Sequence, residues 1–252
     1  VDLVADIGNT HCHLAAFSGE TIVARAAVRG GRSVGEMQVE WDAFAASLKG
    51  PVARAALASV NPKVKIPFAK WLRERLSVQA LVLGENLRPD IPVSVDAPEE
   101  VGADRLVNAL WAARRHKGRA VIVVDFGTAV SFDVVSSAGA FVGGAIAPGV
   151  GTQARALSER TALLPHITVT RTPAPIGRDT VSCIDSGIFW GTVGLVDLLS
   201  EKIELALGEK ALVIATGGDA PLIASGSRRI AQVVPDMTLE GVHMALVEAS
   251  RP

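Results

Sequence analysis

The residues best suited to chemistry occur twice, in the same order. Leu3-Val4-Ala5-Asp6-Ile7-Gly8-Asn9-Thr10 and Ile122-Val123-Val124-Asp125-Phe126-Gly127-Thr128 each run from an apolar stretch to Asp, one apolar residue, Gly and a hydroxyl residue. An Asp at the end of a buried strand offers its carboxylate at the sheet edge, where a hard cation such as Mg²⁺ accepts oxygen ligands. The Gly lets a ligand approach the backbone closely. Successive amides in such a turn form an anion-binding concavity, and the Thr hydroxyl adds a donor. A single copy would read sooner as a hairpin whose Asp caps its own turn; the recurrence reverses that in favour of phosphate handling. A third stretch, Thr216-Gly217-Gly218-Asp219, comes after another apolar run. It could lay a nucleotide across a helix start, or be a plain strand-to-helix turn.

A different chemistry is available in Gly102-Ala103-Asp104-Arg105, which opens a helical pattern. Asp104 in a first turn suits the helix macrodipole. It could also accept a proton from a substrate hydroxyl while Arg105 grips a carboxylate in a fork. Phosphoryl transfer is mostly positioning and charge stabilisation, so such a carboxylate needs no raised pKa. Gly143-Gly144-Ala145-Ile146-Ala147-Pro148-Gly149 permits close approach of a ligand or of a partner element. His11-Cys12-His13 has metal-binding residue types, but strand periodicity puts the histidines on one face and Cys12 on the other, which disfavours zinc. Cys183, in an apolar helical run, reads as a small core residue.

These groups need a scaffold of alternating elements. Strands are expected at Leu3–Ala5, His13–Phe17 and Thr21–Val28, then a helix from Glu36, a strand at Ala53–Ser59, a helix at Val64–Leu76 and a strand at Gln79–Leu83. Gly84–Glu100, with Pro89, Pro92 and Pro98, reads as an irregular connection. After a helix at Ala103–His116 the opening pattern returns, with strands at Ala120–Val124, Val130–Val135 and Ala140–Ile146. Helices at Gly149–Arg160 and Thr180–Leu207, a strand at Ala211–Ala215, a helix at Asp219–Ala224, a strand at Ile230–Val234 and a helix at Leu239–Ala249 complete the chain. Thr238 is the expected N-cap of the last helix, with Gly241 in the N3 slot. The recurrence argues for a duplicated α/β domain, split at 1–116 and 117–252, with the last helix a candidate to pack back toward the first domain.

Composition narrows the classes further. Of 252 residues 49% are hydrophobic and 20% charged, enough apolar material for a sizeable core and against overall disorder. Lys and Arg total 25 against 26 Asp and Glu, a balance without the basic excess of a nucleic-acid partner. Two cysteines exclude a disulfide scaffold and fit a reducing cytoplasm. Val134–Ala154 is free of charge, but its glycines and Pro148 favour strand and loop over a membrane span. There is no tyrosine.

Taken together and in order, these segments resemble those of the type III pantothenate kinases, within the acetate and sugar kinase, Hsp70 and actin superfamily. The resemblance runs through Asp6–Thr10, Glu100–Arg105, Asp125–Ala129, Gly143–Gly149, Ile176-Gly177-Arg178-Asp179-Thr180 and Thr216-Gly217-Gly218. It implies an α/β fold of duplicated actin-like (ribonuclease H-like) domains with mixed β-sheets flanked by helices. It implies ATP-dependent phosphorylation of the primary hydroxyl of pantothenate to 4′-phosphopantothenate, the first step of coenzyme A biosynthesis. By motif match, Asp104 would be the general base. Gly102, Ala103, Asp104 and Arg105 would hold pantothenate, with Arg105 and Thr180 at its carboxylate. Asp6, Ile7, Gly8, Asn9, Thr10, Gly127, Thr128, Ala129, Gly217 and Gly218 would serve ATP and its phosphates. Asp6 would bind Mg²⁺, and Asp125 the monovalent cation, K⁺ or NH₄⁺. The resemblance also implies a homodimer, with the helix at Thr180–Leu207 a candidate interface, and no membrane or nucleic-acid partner.

The chain departs from that pattern at Val95, where the family usually has a tyrosine lining the pantothenate pocket, at Ala97 in place of Asn, and at Val130 in place of Thr. Loss of the phenol removes a large contact face and a hydroxyl. A kinase for another small hydroxy acid, and a non-catalytic regulatory factor of the same fold, are the alternatives.

Overall fold

The computed structural model describes residues 1–250. The chain divides into two compact units. The first comprises residues 1–91, 97–111 and 237–250, and the second residues 92–96 and 112–236. The expected division at 116/117 is therefore displaced. The second unit takes the C-terminal end of the helix that spans this boundary, and also the short segment Pro92–Asp96. That segment joins the second unit because it pairs with a strand there: Ser94 N–H donates to the Phe141 carbonyl (2.8 Å) and Phe141 N–H to the Pro92 carbonyl (2.9 Å).

In the first unit a five-stranded sheet is built from β1 (Asp2–Ile7), β2 (His11–Ser18), β3 (Thr21–Arg29), β4 (Arg54–Ser59) and β5 (Ala80–Val82), in the order β3-β2-β1-β4-β5. β1, β2 and β3 pair antiparallel, while β4 and β5 add in parallel. β1 is apolar at Leu3, Val4, Ala5 and Ile7, all fully buried, because both of its faces are covered, as a central strand requires. On one side Leu3, Ala5 and Ile7 share a core with Trp41 and Phe44 of α1 (Val34–Ala46) and with Phe68, Trp71 and Leu72 of α2 (Pro62–Leu76). α1 begins at a capping box, Ser33 with Glu36, in which each residue's side chain accepts from the other's amide.

Two further helices belong to this unit: α3 (Ala103–Arg115), of which it holds the part up to Trp111, and α7 (Met237–Ala249), which packs on β1, β2 and β4. α7 also meets α3 closely. A Cβ on Gly241 would lie 2.3 Å from the Val107 carbonyl oxygen, so only glycine fits there. Trp111 Nε1 donates to Glu240 Oε2 (2.6 Å). Thr238 is not the N-cap expected of it: α7 starts at Met237, and the Thr238 hydroxyl donates to Asn108 Oδ1 (2.9 Å) from within the first turn.

The second unit repeats the plan. Its sheet is β10-β9-β6-β7-β8, from β6 (Ala120–Phe126), β7 (Ala129–Val135), β8 (Phe141–Pro148), β9 (Ala211–Gly217) and β10 (Ile230–Val233). Again the first three strands pair antiparallel and the other two add in parallel. The charge-free stretch from Val134 is the end of β7, β8 and the start of α4 (Val150–Arg160). α5 (Thr180–Leu207) is long and apolar enough to cross a membrane by length and composition. Its apolar character is accounted for by Ile184, Ile188, Phe189, Val193 and Val196, which pack into the core against Ile122, Val124 and Phe132. A short helix, α6 (Ala220–Ala224), comes after β9.

Near the end of α5, Glu204 is almost wholly buried. It accepts from Lys210 Nζ (2.9 Å), the Ala211 amide (3.0 Å) and Arg229. Burial alone would raise its pKa, but these donors hold it down at about 2.

Candidate active site

The β1–β2 turn carries Gly8, Asn9 and Thr10, and the β6–β7 turn carries Gly127 and Thr128. In each, the glycine amide closes the hairpin: Gly8 N–H donates to the His11 carbonyl (2.9 Å), and Gly127 N–H to that of Ala129 (2.9 Å). Those two amides are committed to the turns. The glycines therefore contribute close backbone approach rather than donors. Asn9, Thr10, Gly127, Thr128 and Ala129 are exposed. Ile7 is not: its side chain is wholly buried in the core. The Ile7 carbonyl is occupied by the Val60 amide (3.1 Å).

Both turns are braced in the same way by a residue after the third strand. Gly30 N–H donates to the Thr10 carbonyl (2.8 Å), and Gly149 N–H to the Thr128 carbonyl (3.1 Å). A Cβ at Gly30 would stand 2.9 Å from the Asn9 carbonyl oxygen, and one at Gly149 would stand 2.2 Å from that of Gly127. Of the two roles open to the Gly143–Gly149 run, Gly149 takes the one facing a partner element. Thr152, on the first turn of α4, adds its hydroxyl to the Thr128 carbonyl (2.6 Å).

In the second unit the turn is joined by the end of β9. Asp125 pairs in register with Thr216, and Phe126 with Gly217. Gly217 has φ +89°, and a Cβ there would lie 2.5 Å from the Phe126 carbonyl oxygen and 2.6 Å from Asp125 Oδ1. Asp125, Gly127, Thr128, Gly217 and Gly218 are thus brought into one neighbourhood. Beyond Gly218, Asp219 N–H reaches the Phe126 carbonyl (3.5 Å), and its half-buried carboxyl is pushed up in pKa by burial.

In the first unit, α3 begins at Ala103 directly after Gly102. The Asp104 carboxylate turns back over that glycine: a Cβ at Gly102 would sit 2.6 Å from Asp104 Oδ1. The same oxygen accepts from the Arg105 amide (2.8 Å). Asp104 and Arg105 are half-buried at a helix start, where the macrodipole favours a carboxylate.

Thr180 belongs to the second unit, at the first position of α5. Asp179 caps that helix through the Ser182 amide (2.9 Å), and Gly177 packs so tightly on the same turn that a Cβ would stand 2.3 Å from the Cys183 nitrogen. Val95 lies in the segment paired to β8, with Cγ1 3.7 Å from where a Cβ of Gly143 would be.

The His11-Cys12-His13 trio divides as strand periodicity dictates: the histidines are exposed with ring centroids 5.7 Å apart, and Cys12 is buried. Burial first, and then the Asp6 carboxylate, push the Cys12 thiol up to about 12. No group of three or more His, Cys, Asp or Glu placed to hold a metal occurs among the described residues. Cys183 is exposed rather than in the core.

The bracing by Gly30, Gly149 and Thr152 is not evident from sequence reasoning. The available signal was a glycine placed just after the third strand of each copy. Asp219 closes the Thr216-Gly217-Gly218-Asp219 stretch singled out in the sequence, where its type alone assigns it no role.

Comparison with known proteins agrees along the chain. The family model for type III pantothenate kinase matches residues 2–202. A type III pantothenate kinase of Dehalococcoides mccartyi is 40% identical, covering 96% of this chain and 95% of its own. One from Gluconobacter oxydans is 41% identical, covering 96% and 91%. Among solved structures, a protein described as a 2-dehydro-3-deoxygalactonokinase from Sinorhizobium meliloti superposes with TM-score 0.61 over all of both chains at 11% identity, a likeness of fold. The two mixed sheets flanked by helices are duplicated actin-like domains.

Proposed function

Since the chain belongs to the type III pantothenate kinase family, we propose that it transfers the γ-phosphoryl group of ATP to the primary hydroxyl of pantothenate, giving 4′-phosphopantothenate and ADP at the entry to coenzyme A biosynthesis. The observation that carries this reading is family membership over nearly the whole chain, with the Asp-x-Gly motif retained in both copies and Asp104 retained at the start of α3.

Asp104 accepts the hydroxyl proton as the oxygen bonds to the γ-phosphorus, the bond from that phosphorus to the β,γ-bridging oxygen breaks, and ADP departs. Arg105 and Thr180 pair with the pantothenate carboxylate, Arg105 through its planar fork. Gly102 and Ala103 leave room beside Asp104 for the substrate. Asn9, Thr10 and Thr128 meet the phosphates with their side chains, while Gly8, Gly127, Ala129, Gly217 and Gly218 admit them to the backbone. Ile7 contributes only by holding the first turn.

Mg²⁺ usually takes one or two carboxylates and completes its shell with phosphate oxygens and water. Asp6 beside the phosphate turn would supply one such carboxylate, and a three-carboxylate cage would not be needed. The metal supplies neutralisation of charge on the phosphates. Asp125 would be the carboxylate that holds the monovalent cation, K⁺ or NH₄⁺.

The chain works as a homodimer in the cytoplasm, with α5 at the interface. Cys183, Gly187, Gly191, Gly194, Leu198 and Leu205 form an exposed apolar stripe at helical spacing on that helix.

The test is direct. Purified protein with pantothenate, MgATP and K⁺ should release ADP in proportion to 4′-phosphopantothenate detected by mass spectrometry. Absence of phosphorylated product with K⁺ and with NH₄⁺ would refute the reading. The second reading, a different small hydroxy acid as acceptor, is favoured by Val95 and Ala97. A panel of such acids phosphorylated in preference to pantothenate would establish it.

A further inference from the structure

β2 carries two histidines on its exposed face, His11 and His13, separated by one residue. Their rings stand 5.7 Å apart, centroid to centroid, with planes inclined at 36°. Cys12 between them is buried in the core with its thiol pushed up to about 12, so it takes no part.

That separation has a chemical meaning. A metal–nitrogen bond of about 2.1 Å puts the centroid of a ligating imidazole about 3.2 Å from the ion, so two such rings at a tetrahedral angle lie about 5.2 Å apart. The two histidines are within about 0.5 Å of this arrangement, and the ring torsion that closes the gap is broad in histidine.

The surroundings leave room for an ion. Cross-strand partners share a face. His13 pairs in register with Ala27 on β3, an exposed residue with nothing beyond its Cβ. Its partner on β1 is Asp6, which adds a carboxylate to the same face. His11 pairs with Arg29, also exposed, whose long side chain can carry its charge out into solvent. Asp6 and the histidines are not placed as a three-ligand group. An ion here therefore takes two protein ligands and fills its other positions with water.

We propose that His11 and His13 chelate a divalent transition metal, Zn²⁺, Ni²⁺ or Cu²⁺, and that an ion held there obstructs the first phosphate turn. Imidazole suits these ions, whereas Mg²⁺ prefers oxygen, which keeps the pair distinct from the role given to Asp6. The obstruction follows from position. His11 directly follows Thr10, and the His11 carbonyl receives the Gly8 amide that closes the turn (2.9 Å). An ion on the pair stands beside that turn, where its open positions draw phosphate oxygens away from Mg²⁺. The obstruction rests on the kinase reading; the chelation does not.

The experiment titrates the untagged full-length chain with Zn²⁺, and separately with Ni²⁺, by calorimetry in millimolar Mg²⁺. One ion should bind per chain. His11→Ala and His13→Ala should each weaken binding by about 10²-fold, since two ligands on one strand act as a linked pair. Both lie on the exposed face, so their thermal midpoints should match that of the native chain. Cys183→Ser should bind as the native chain does, because that exposed thiol is no part of the site. Binding unchanged in either histidine variant, binding lost in Cys183→Ser, or displacement of the ion by Mg²⁺ overturns the site.

The second arm measures ADP release. Zn²⁺ at concentrations that fill the site should inhibit the native chain and spare the double variant His11→Ala/His13→Ala, whose turnover without Zn²⁺ should be native. Equal inhibition of both overturns the obstruction. A chain that chelates Zn²⁺ through the two histidines but phosphorylates no pantothenate upholds the site and refutes the kinase reading. A chain that phosphorylates pantothenate without histidine-dependent binding does the reverse.

Discussion

Gly102 offers the sharpest test of how Asp104 is positioned. A Cβ built there stands 2.6 Å from Asp104 Oδ1, whereas ordinary van der Waals contact begins at 3.4 Å. In Gly102→Ala the carboxylate must therefore retreat by about 0.8 Å, and a displacement of about 1 Å at a reacting group can cost about 10²-fold in rate. The obstructing atom is the far end of a side chain, and its other close neighbours are at 3.7 and 3.9 Å. The backbone need not move, so the fold should keep its stability to within about 1 kcal/mol. We expect pantothenate-dependent ADP release to fall about 10²-fold while the thermal midpoint stays near that of the native chain. In an Asp104→Asn background the same alanine should add almost nothing, because both changes act through one carboxylate. Native activity in Gly102→Ala would show that Asp104 does not need this placement. A large loss of thermal stability would show that the glycine serves the fold instead.

Two further expectations concern buried groups. Glu204 is held at about 2 against an ordinary value of 4.5, so its stabilising contribution is complete above pH 4.5 and is lost as pH falls toward 2. That difference corresponds to about 3 kcal/mol at neutral pH. Glu204→Gln should lower unfolding free energy by an amount of that order and flatten the acid limb of the stability curve, measured by urea titration at several pH values; an unchanged limb would refute the linkage. Cys12, pushed up to about 12, should stay silent to a thiol reagent at pH 8 in native Cys183→Ser and react once the protein is unfolded in urea; rapid labelling of the folded variant would contradict its burial.

Much of the architecture was legible because the elements carry strong periodic signals. Leu3–Ala5 in β1 and Ala120–Val124 in β6 are apolar runs because both faces are covered, and α1 and α2 show their buried aromatics, Trp41, Phe44, Phe68 and Trp71, at helical spacing. What was not legible depends on backbone meeting backbone. Nothing in Pro92–Asp96 announces that its amides pair with Phe141, yet that pairing moves the division of the chain. Thr238 has the right type for an N-cap, but its hydroxyl serves Asn108 at the contact of α7 with α3, where Gly241 permits a close approach. Ile7 sits inside a ligand-like motif, and only the strand's pleat shows that its side chain faces the core. The Asp and Thr of the motifs were readable by type. The role of Gly149 was not, because the same residue permits approach of a ligand or of a turn.

The duplication also explains which parts of the site are shared and which are not. Both copies reproduce the strand order, the glycine amide that closes the first hairpin, and the later glycine that braces it. The copies differ in the turn itself, where Gly8-Asn9-Thr10 in one corresponds to Gly127-Thr128 in the other. They differ also where the fourth strand of each copy ends: Ser59-Val60-Asn61 follows there in the first unit and Gly217-Gly218-Asp219 in the second. They differ again in Asp104, which stands on α3 after the first copy's sheet. In the proposed function, phosphate contact would therefore belong to the repeated framework, and activation of the acceptor hydroxyl to Asp104, which only one copy has. A change confined to Gly102 should accordingly alter turnover and leave the folding of the sheets alone. Substitution of Gly30 or Gly149, where the obstructing atoms are backbone, should disturb the fold of the unit that contains it.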